Sequence, residues 1–194
     1  MEQIKLLTEL DYINASNILG VPVAAIKAVA EVESRGNGFF SNGKPKILFE
    51  AHLFGKYTKY KYNQSYPNIS SKRWDRSLYY GGIREYERLN LAVTLDEVSA
   101  LKSTSWGKFQ IMGFNYKICN YSDVISFVMD QYVSEGVHLM NFVNFIQGNK
   151  LDKYIKKQDW AGFAYRYNGP GYKQNHYDTK MEKAFIKHGG IASR

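Results

Sequence analysis

Apolar residues recur at helical spacing through most of the chain, and the breaks between periodic stretches fall at glycine, proline and capping residues. Residues 8–19 predict a first helix, with Leu10, Ile13 and Ile18 among its apolar positions and Gly20 as its stop. Pro22, in the N1 position that proline favours, opens a second helix. That helix carries Ile26, Val29 and Ala30 on one face, and Glu33 falls at i+7 on the same face. Glu31 points elsewhere, four residues after Lys27, where a solvated pair is expected. After Gly36-Asn37-Gly38, residues 39–44 read as a hairpin with an Asn-Gly turn, and residues 46–49 as its return strand. The return strand delivers Glu50 and His52.

Residues 56–76, rich in Tyr, Lys, Asn and Ser, read as irregular surface, with a short helix around 52–60. Gly81-Gly82 introduces a helix over 83–92, and another is expected over 96–101 with Thr94 as N-cap. In residues 103–115 small polar side chains lead into an apolar turn containing one buried-looking glutamine, Gln110. Gly107 there reads as a packing glycine between helices. Residues 122–147 are strongly apolar-periodic and predict two helices meeting near Glu135-Gly136, read as core without chemistry. Asp159 caps a helix over 160–167 whose Trp160, Phe163, Ala164 and Tyr167 share a face. Asn168-Gly169-Pro170-Gly171-Tyr172 stops it. A last amphipathic helix covers 178–187. The pattern is mainly α with a small β-hairpin.

Composition narrows the class. At 194 residues and 44% hydrophobic content the chain makes one domain with a real core. No run of 18 apolar residues is present, and acids interrupt the N-terminal segment where a signal peptide needs apolar continuity. Synthesis in a cytoplasm, with export by other means, is the expectation. Cys119 is the lone cysteine, so no intramolecular disulfide and no cysteine zinc site is expected. A net charge of +8 favours an anionic partner without choosing among nucleic acid, membrane and cell-wall polymer. No nucleic-acid-binding signature backs the first. Sixteen tyrosines suit carbohydrate clefts and ordinary half-buried packing alike.

Glu33 carries the sharpest chemistry. A carboxylate turned toward an apolar surface loses hydration, and its pKa rises. An acid still protonated near neutral pH can serve as a general acid. The structural alternative, a paired acid at a helix end, has comparable weight on spacing alone.

The motifs in order resemble a known family. A helix ending Glu33-Ser34 with Gly36 and Gly38 is followed by Ile47-Leu48-Phe49-Glu50-Ala51-His52 and Tyr80-Gly81-Gly82. Then come Ser105-Trp106-Gly107-Lys108-Phe109-Gln110-Ile111-Met112 and Tyr165-Arg166-Tyr167-Asn168-Gly169-Pro170-Gly171-Tyr172. This succession, over about residues 8–188, resembles the N-acetylmuramidase family of phage-type endolysins and, more distantly, goose-type lysozymes and lytic transglycosylases. The resemblance implies a single lysozyme-like α+β domain that cleaves the β-1,4 bond between N-acetylmuramic acid and N-acetylglucosamine in peptidoglycan. It places Glu33 at the catalytic glutamate, Gln110 in the cleft lining, and Tyr167 and Asn168 opposite the acid. Ser105 and Tyr172, within the same motifs, join the expected substrate-binding set.

Glycoside hydrolysis also needs something to activate or stabilise attack at the anomeric carbon. Glu50 is the best candidate for that second carboxylate, ahead of Asp178 and Glu31. Its structural alternative is an acid paired with His52 or a lysine. The expectation is therefore a monomeric hydrolase with no cofactor or metal, acting on peptidoglycan glycan strands without nucleic acid or stable membrane insertion. With no separate wall-binding domain, it reaches the wall through a holin-type lesion or another release route. The rivals are a lytic transglycosylase and a non-catalytic wall-binding module.

Overall fold

The computed structural model describes residues 6–34 and 36–192. Helix α1 (Glu9–Leu19) begins at Thr8, whose hydroxyl and the Asp11 carboxylate form a reciprocal capping box. Its buried positions are Ala15, Ser16 and Leu19, while Leu10, Ile13 and Ile18 face solvent. Those three apolar positions are thus turned outward. Small residues are what let α1 lie close against α2 (Val23–Glu33). Pro22 stands one position earlier than expected, as the N-cap of α2. Ala24, Ala25, Ile26, Ala28, Val29 and Ala30 are buried, so α2 runs through the core and Glu33 is its last residue. Glu31 faces out as expected, but its partners are Lys187 and His188, and Lys27 pairs with Glu9.

The β structure is larger than the predicted hairpin. Strand β1 (Ile47–Phe49) pairs antiparallel with β2 (Thr104–Trp106), which pairs with β3 (Ile111–Met112). The incoming arm of the Asn-Gly hairpin shrinks to a single bridge, Phe39 to Pro45. A proline at that position has no N–H to extend a ladder. Residues 103–106 are buried, and the side chains of Ser103, Thr104 and Trp106 each have a partner on helix α5 (Glu97–Lys102). Ser103 Oγ donates to Ser99 O, Thr104 Oγ1 to Ala100 O, and Trp106 Nε1 to Leu101 O. Gly107 is therefore a turn glycine at φ +70°, between β2 and β3, not a helix–helix spacer.

The remaining helices are α3 (Ala51–Tyr57), α4 (Glu85–Leu95), α6 (Val124–Gln131), α7 (Glu135–Gly148), α8 (Asp152–Lys156), α9 (Trp160–Asn168) and α10 (Tyr177–Lys187). Asp123, Ser134 and Asp159 cap α6, α7 and α9 by accepting a backbone N–H three residues on. Asp96 does the same for α5, while Thr94 only bonds back to Leu91 O inside α4. Residues 56–76 are tied down more firmly than an exposed loop: Ile69 and Ser70 are buried, and Tyr62 donates to Leu95 O at 2.9 Å. Helix α10 packs along both α2 and α9, which brings the ends of α2 and α9 together.

Candidate active site

That convergence sets Asn168, the last residue of α9, against Glu33, the last residue of α2. Asn168 Nδ2 donates to Glu33 Oε1 at 2.8 Å. Burial pushes the Glu33 carboxyl up to about 7, against the opposing pull of the Asn168 hydrogen bond. With Oε1 accepting the amide, the other oxygen is left to carry the proton. Tyr167, one residue earlier, makes no hydrogen bond to Glu33. Its ring stacks on Phe163 at 5.6 Å and meets Phe142 and Phe145 edge-on. Burial, and then the charge of Glu33, raise the pKa of its hydroxyl. Tyr167 thus supplies an apolar flank near the acid, and Asn168 supplies the polar contact.

The chain leaving Glu33 is gripped by α7. Glu135, 2% exposed, accepts hydrogen bonds from the backbone N–H groups of Gly38 and Leu7 and lies 3.2 Å from Lys108 Nζ. Lys108 Nζ also donates to Gly36 O at 2.8 Å. One turn on, His138 is buried, and burial lowers its pKa and holds it neutral. Its Nε2–H donates to Gln131 O, leaving Nδ1 to accept from Lys108 N–H at 3.1 Å. The imidazole stacks on Phe39 and fills the space beside Gly38 and Gly107, where a Cβ would come within 3 Å of it. Two loops, one following the acid and one preceding Gln110, are pinned to the same helix face. The sequence reading assigned this face to core. A Glu and a His at i, i+3 among buried apolar positions were the available signal.

Glu50 stands at the exit of β1, its N–H donating to Ser103 O at 2.9 Å. Its Oε2 accepts from the Tyr79 hydroxyl at 2.7 Å and lies 3.3 Å from His52 Nδ1. The expected His52 pairing is present, and Tyr79 is a partner that spacing did not suggest. Beneath it lies a fully buried ion pair, Glu85 with Arg88, at 2.8 Å. Glu85 accepts the N–H groups of Phe49, Tyr80 and Gly81, and Arg88 donates to Phe49 O and Asn68 O. This pair sets the backbone of Phe49, just before Glu50, and of Tyr80, just after Tyr79.

Gln110, at φ +50°, closes the β2–β3 turn. Its Nε2 donates to Gly107 O and Lys46 O, and its Oε1 accepts from Ser105 Oγ at 2.8 Å. Gln110 and Ser105 therefore brace the sheet against the segment after the acid. Tyr172 is buried, edge-on to Tyr165. Asp178 caps Thr179 N, within its own helix. Among the described residues no group of three or more His, Cys, Asp or Glu side chains is arranged to hold a metal ion. Among the same residues no single helix is long and apolar enough to cross a membrane. What the site offers is one acid with a raised pKa, held by an amide, beside a small sheet that carries a hydrogen-bonded second carboxylate.

No protein of curated function matches the sequence. The crystal structure of the Burkholderia AP3 phage endolysin superimposes with a TM-score of 0.91 at 38% identity, covering 97% of this chain and 74% of that one. The family model of N-acetylmuramidase matches residues 22–189, from the cap of α2 to just beyond α10. That match spans every element that frames Glu33, and the chain belongs to the N-acetylmuramidase family.

Proposed function

We propose that this protein hydrolyses peptidoglycan at the β-1,4 bond between N-acetylmuramic acid and N-acetylglucosamine, with Glu33 as general acid. The observation carrying the reading is the Glu33 carboxyl, buried, raised to about 7 and held through one oxygen by Asn168. In this reading the free oxygen delivers its proton to the glycosidic oxygen as the C1–O bond breaks. A water oxygen then bonds to C1 and gives up its proton, and Glu33 is reprotonated from solvent. Asn168 keeps the acid's orientation, Tyr167 keeps water from one side of it, and Gln110 with Ser105 shapes the opposing sheet. The +8 net charge draws a monomer to an anionic wall reached through a holin-type or other release route.

One observation favours a second reading of the same site. Glu50 Oε2 accepts from Tyr79 and faces His52, contacts that give Glu50 a structural role without a base's chemistry. A lytic transglycosylase needs no such base, because the muramic sugar's own hydroxyl attacks. Mass spectrometry of fragments from purified peptidoglycan decides: reducing ends for hydrolysis, anhydro sugars for transglycosylation. Glu33→Gln is expected to abolish fragment release with the fold unchanged by circular dichroism. Full activity in that variant removes Glu33 from the chemistry.

A further inference from the structure

The chain holds three tryptophans, and only one is outside the core: Trp106 is 1% exposed, Trp160 6% and Trp74 60%. A single exposed apolar side chain is ordinary. Trp74 differs in being fixed. Its indole N–H donates to the Tyr79 hydroxyl at 2.8 Å, and the two rings meet edge-on at 6.4 Å. Tyr79 in turn donates to Glu50, and the buried Arg88 guanidinium lies 5.7 Å from the Tyr79 ring centroid. The chain of donors, Trp74 to Tyr79 to Glu50, leaves the indole face open while removing its freedom to turn. Rigid aromatic anchors gain affinity this way, since little side-chain entropy remains to be lost on binding.

Position adds a second argument. Glu50 is at one end of β1; at the other, Lys46 N–H donates to the carbonyl of Gly38, five residues past Glu33. The four residue steps from Lys46 to Glu50 cover about 13 Å, so the segment around β1 links the acid's own loop to the Trp74 platform over a length that an extended glycan spans. An indole face offers a π-surface to the axial C–H groups of a pyranose, and its polar edge is already satisfied.

We propose that Trp74, locked by Tyr79, is a stacking platform for an N-acetylhexosamine ring of a β-1,4-linked glycan, on a wall separate from Glu33. Glu50 then acts as a positioning residue, holding Tyr79 and through it the indole. The proposal extends the muramidase reading and rests on it for the substrate class.

The test uses a neutral probe, a chitooligosaccharide, and the Glu33→Gln protein, which does not consume it. Acrylamide quenching of tryptophan emission reports Trp74, because Trp106 and Trp160 are buried. Saturating saccharide is expected to protect the quenchable fraction and shift emission to the blue. Calorimetric titration of Glu33→Gln/Trp74→Ala is expected to show about tenfold weaker binding, the loss of one aromatic contact. Tyr79→Phe, which keeps the ring but releases the indole and Glu50, is expected to weaken binding with circular dichroism unchanged. Unprotected Trp74 at saturation, an unchanged affinity in the Trp74→Ala background, or no saccharide binding at all overturns the platform. Peptidoglycan turnover separates this from the parent reading. A lytic wild type whose Trp74→Ala variant keeps the same KM refutes the platform alone. A wild type that releases no fragments refutes the muramidase reading, while protection of Trp74 still carries the platform.

Discussion

Replacing Glu33 by glutamine should make the protein more stable at alkaline pH, by an amount that the site itself dictates. The carboxyl rises from an ordinary 4.5 to about 7 on folding. Between those values the folded state binds more protons than the unfolded one, so stability falls as pH rises through the window. The penalty is absent below pH 4.5 and complete at pH 8. A rise of about 2.5 pKa units corresponds to ~3 kcal/mol, and partial solvent access trims it to about 2–3 kcal/mol. Glutamine carries no such penalty, and its carbonyl oxygen can still accept from Asn168. Urea unfolding of both proteins at pH 5 and pH 8 measures the difference directly. The stability gap should widen by about 2–3 kcal/mol toward pH 8, equivalent to roughly 5–10 °C in melting temperature for a domain of this size. Parallel pH profiles for the two proteins would refute the claim that Glu33 is a desolvated acid. A glutamine variant that is less stable at pH 8 would refute it more strongly.

The same carboxyl predicts that turnover on purified peptidoglycan, measured at fixed ionic strength, declines above about pH 7 as the acid loses its proton. Arg88→Ala leaves the Glu85 charge buried without its partner and should cost about 3–5 kcal/mol by denaturant unfolding. Gly107→Ala combines a positive φ with a Cβ that would stand 2.8 Å from the His138 ring, and should cost about 1–3 kcal/mol by the same assay. Glu31→Gln removes exposed pairs with Lys187 and His188 and should cost under about 1 kcal/mol at pH 7. Those two partners hold the Glu31 carboxyl below the usual range, so their contribution is present at neutral pH and fades as pH falls through that range. The unfolding gap between wild type and Glu31→Gln should accordingly narrow as pH is lowered below the ordinary carboxylate range.

What was legible in the sequence is what helical periodicity encodes. The order of the main helices, the burial of α2, and the separation of Glu33 from Glu31 follow from side chains spaced around one turn. The places where the reading missed are places where tertiary partners decide. Thr104 and Ser105 look like loop residues until α5 carbonyls and Gln110 take their hydroxyls, after which they form the central strand. Leu10 and Ile13 are apolar yet exposed, because close approach to α2 selects the smaller Ala15 and Ser16 for the buried side. Glu135 and His138 were hidden by their apolar neighbours. Their roles depend on Gly36, Gly38 and Lys108, distant in sequence, arriving above them. Trp74 sat inside a stretch read as bland surface, and only its hydrogen bond to Tyr79 distinguishes it.

Glu33 and Glu50 are the same residue type, each beside a helix end, and the fold treats them oppositely. Glu33 ends a helix that is buried along its length and receives one neutral amide, so desolvation wins and the proton stays near neutrality. Glu50 begins a helix after a strand that Glu85 and Arg88 hold in place, and its oxygen receives a phenol and faces an imidazole. A carboxylate bound to a tyrosine through one oxygen orders that tyrosine, while its other oxygen can still accept from a water. The distinction is measurable in a single comparison. If Glu50 acts through Tyr79, then Glu50→Gln and Tyr79→Phe should raise KM by similar factors with kcat largely kept, and the double variant should add little. If Glu50 is a base, Glu50→Gln should collapse kcat while Tyr79→Phe leaves most of it. The hydrogen bonds at Glu50 favour the first outcome, under which the proposed reaction would rest on Glu33 alone.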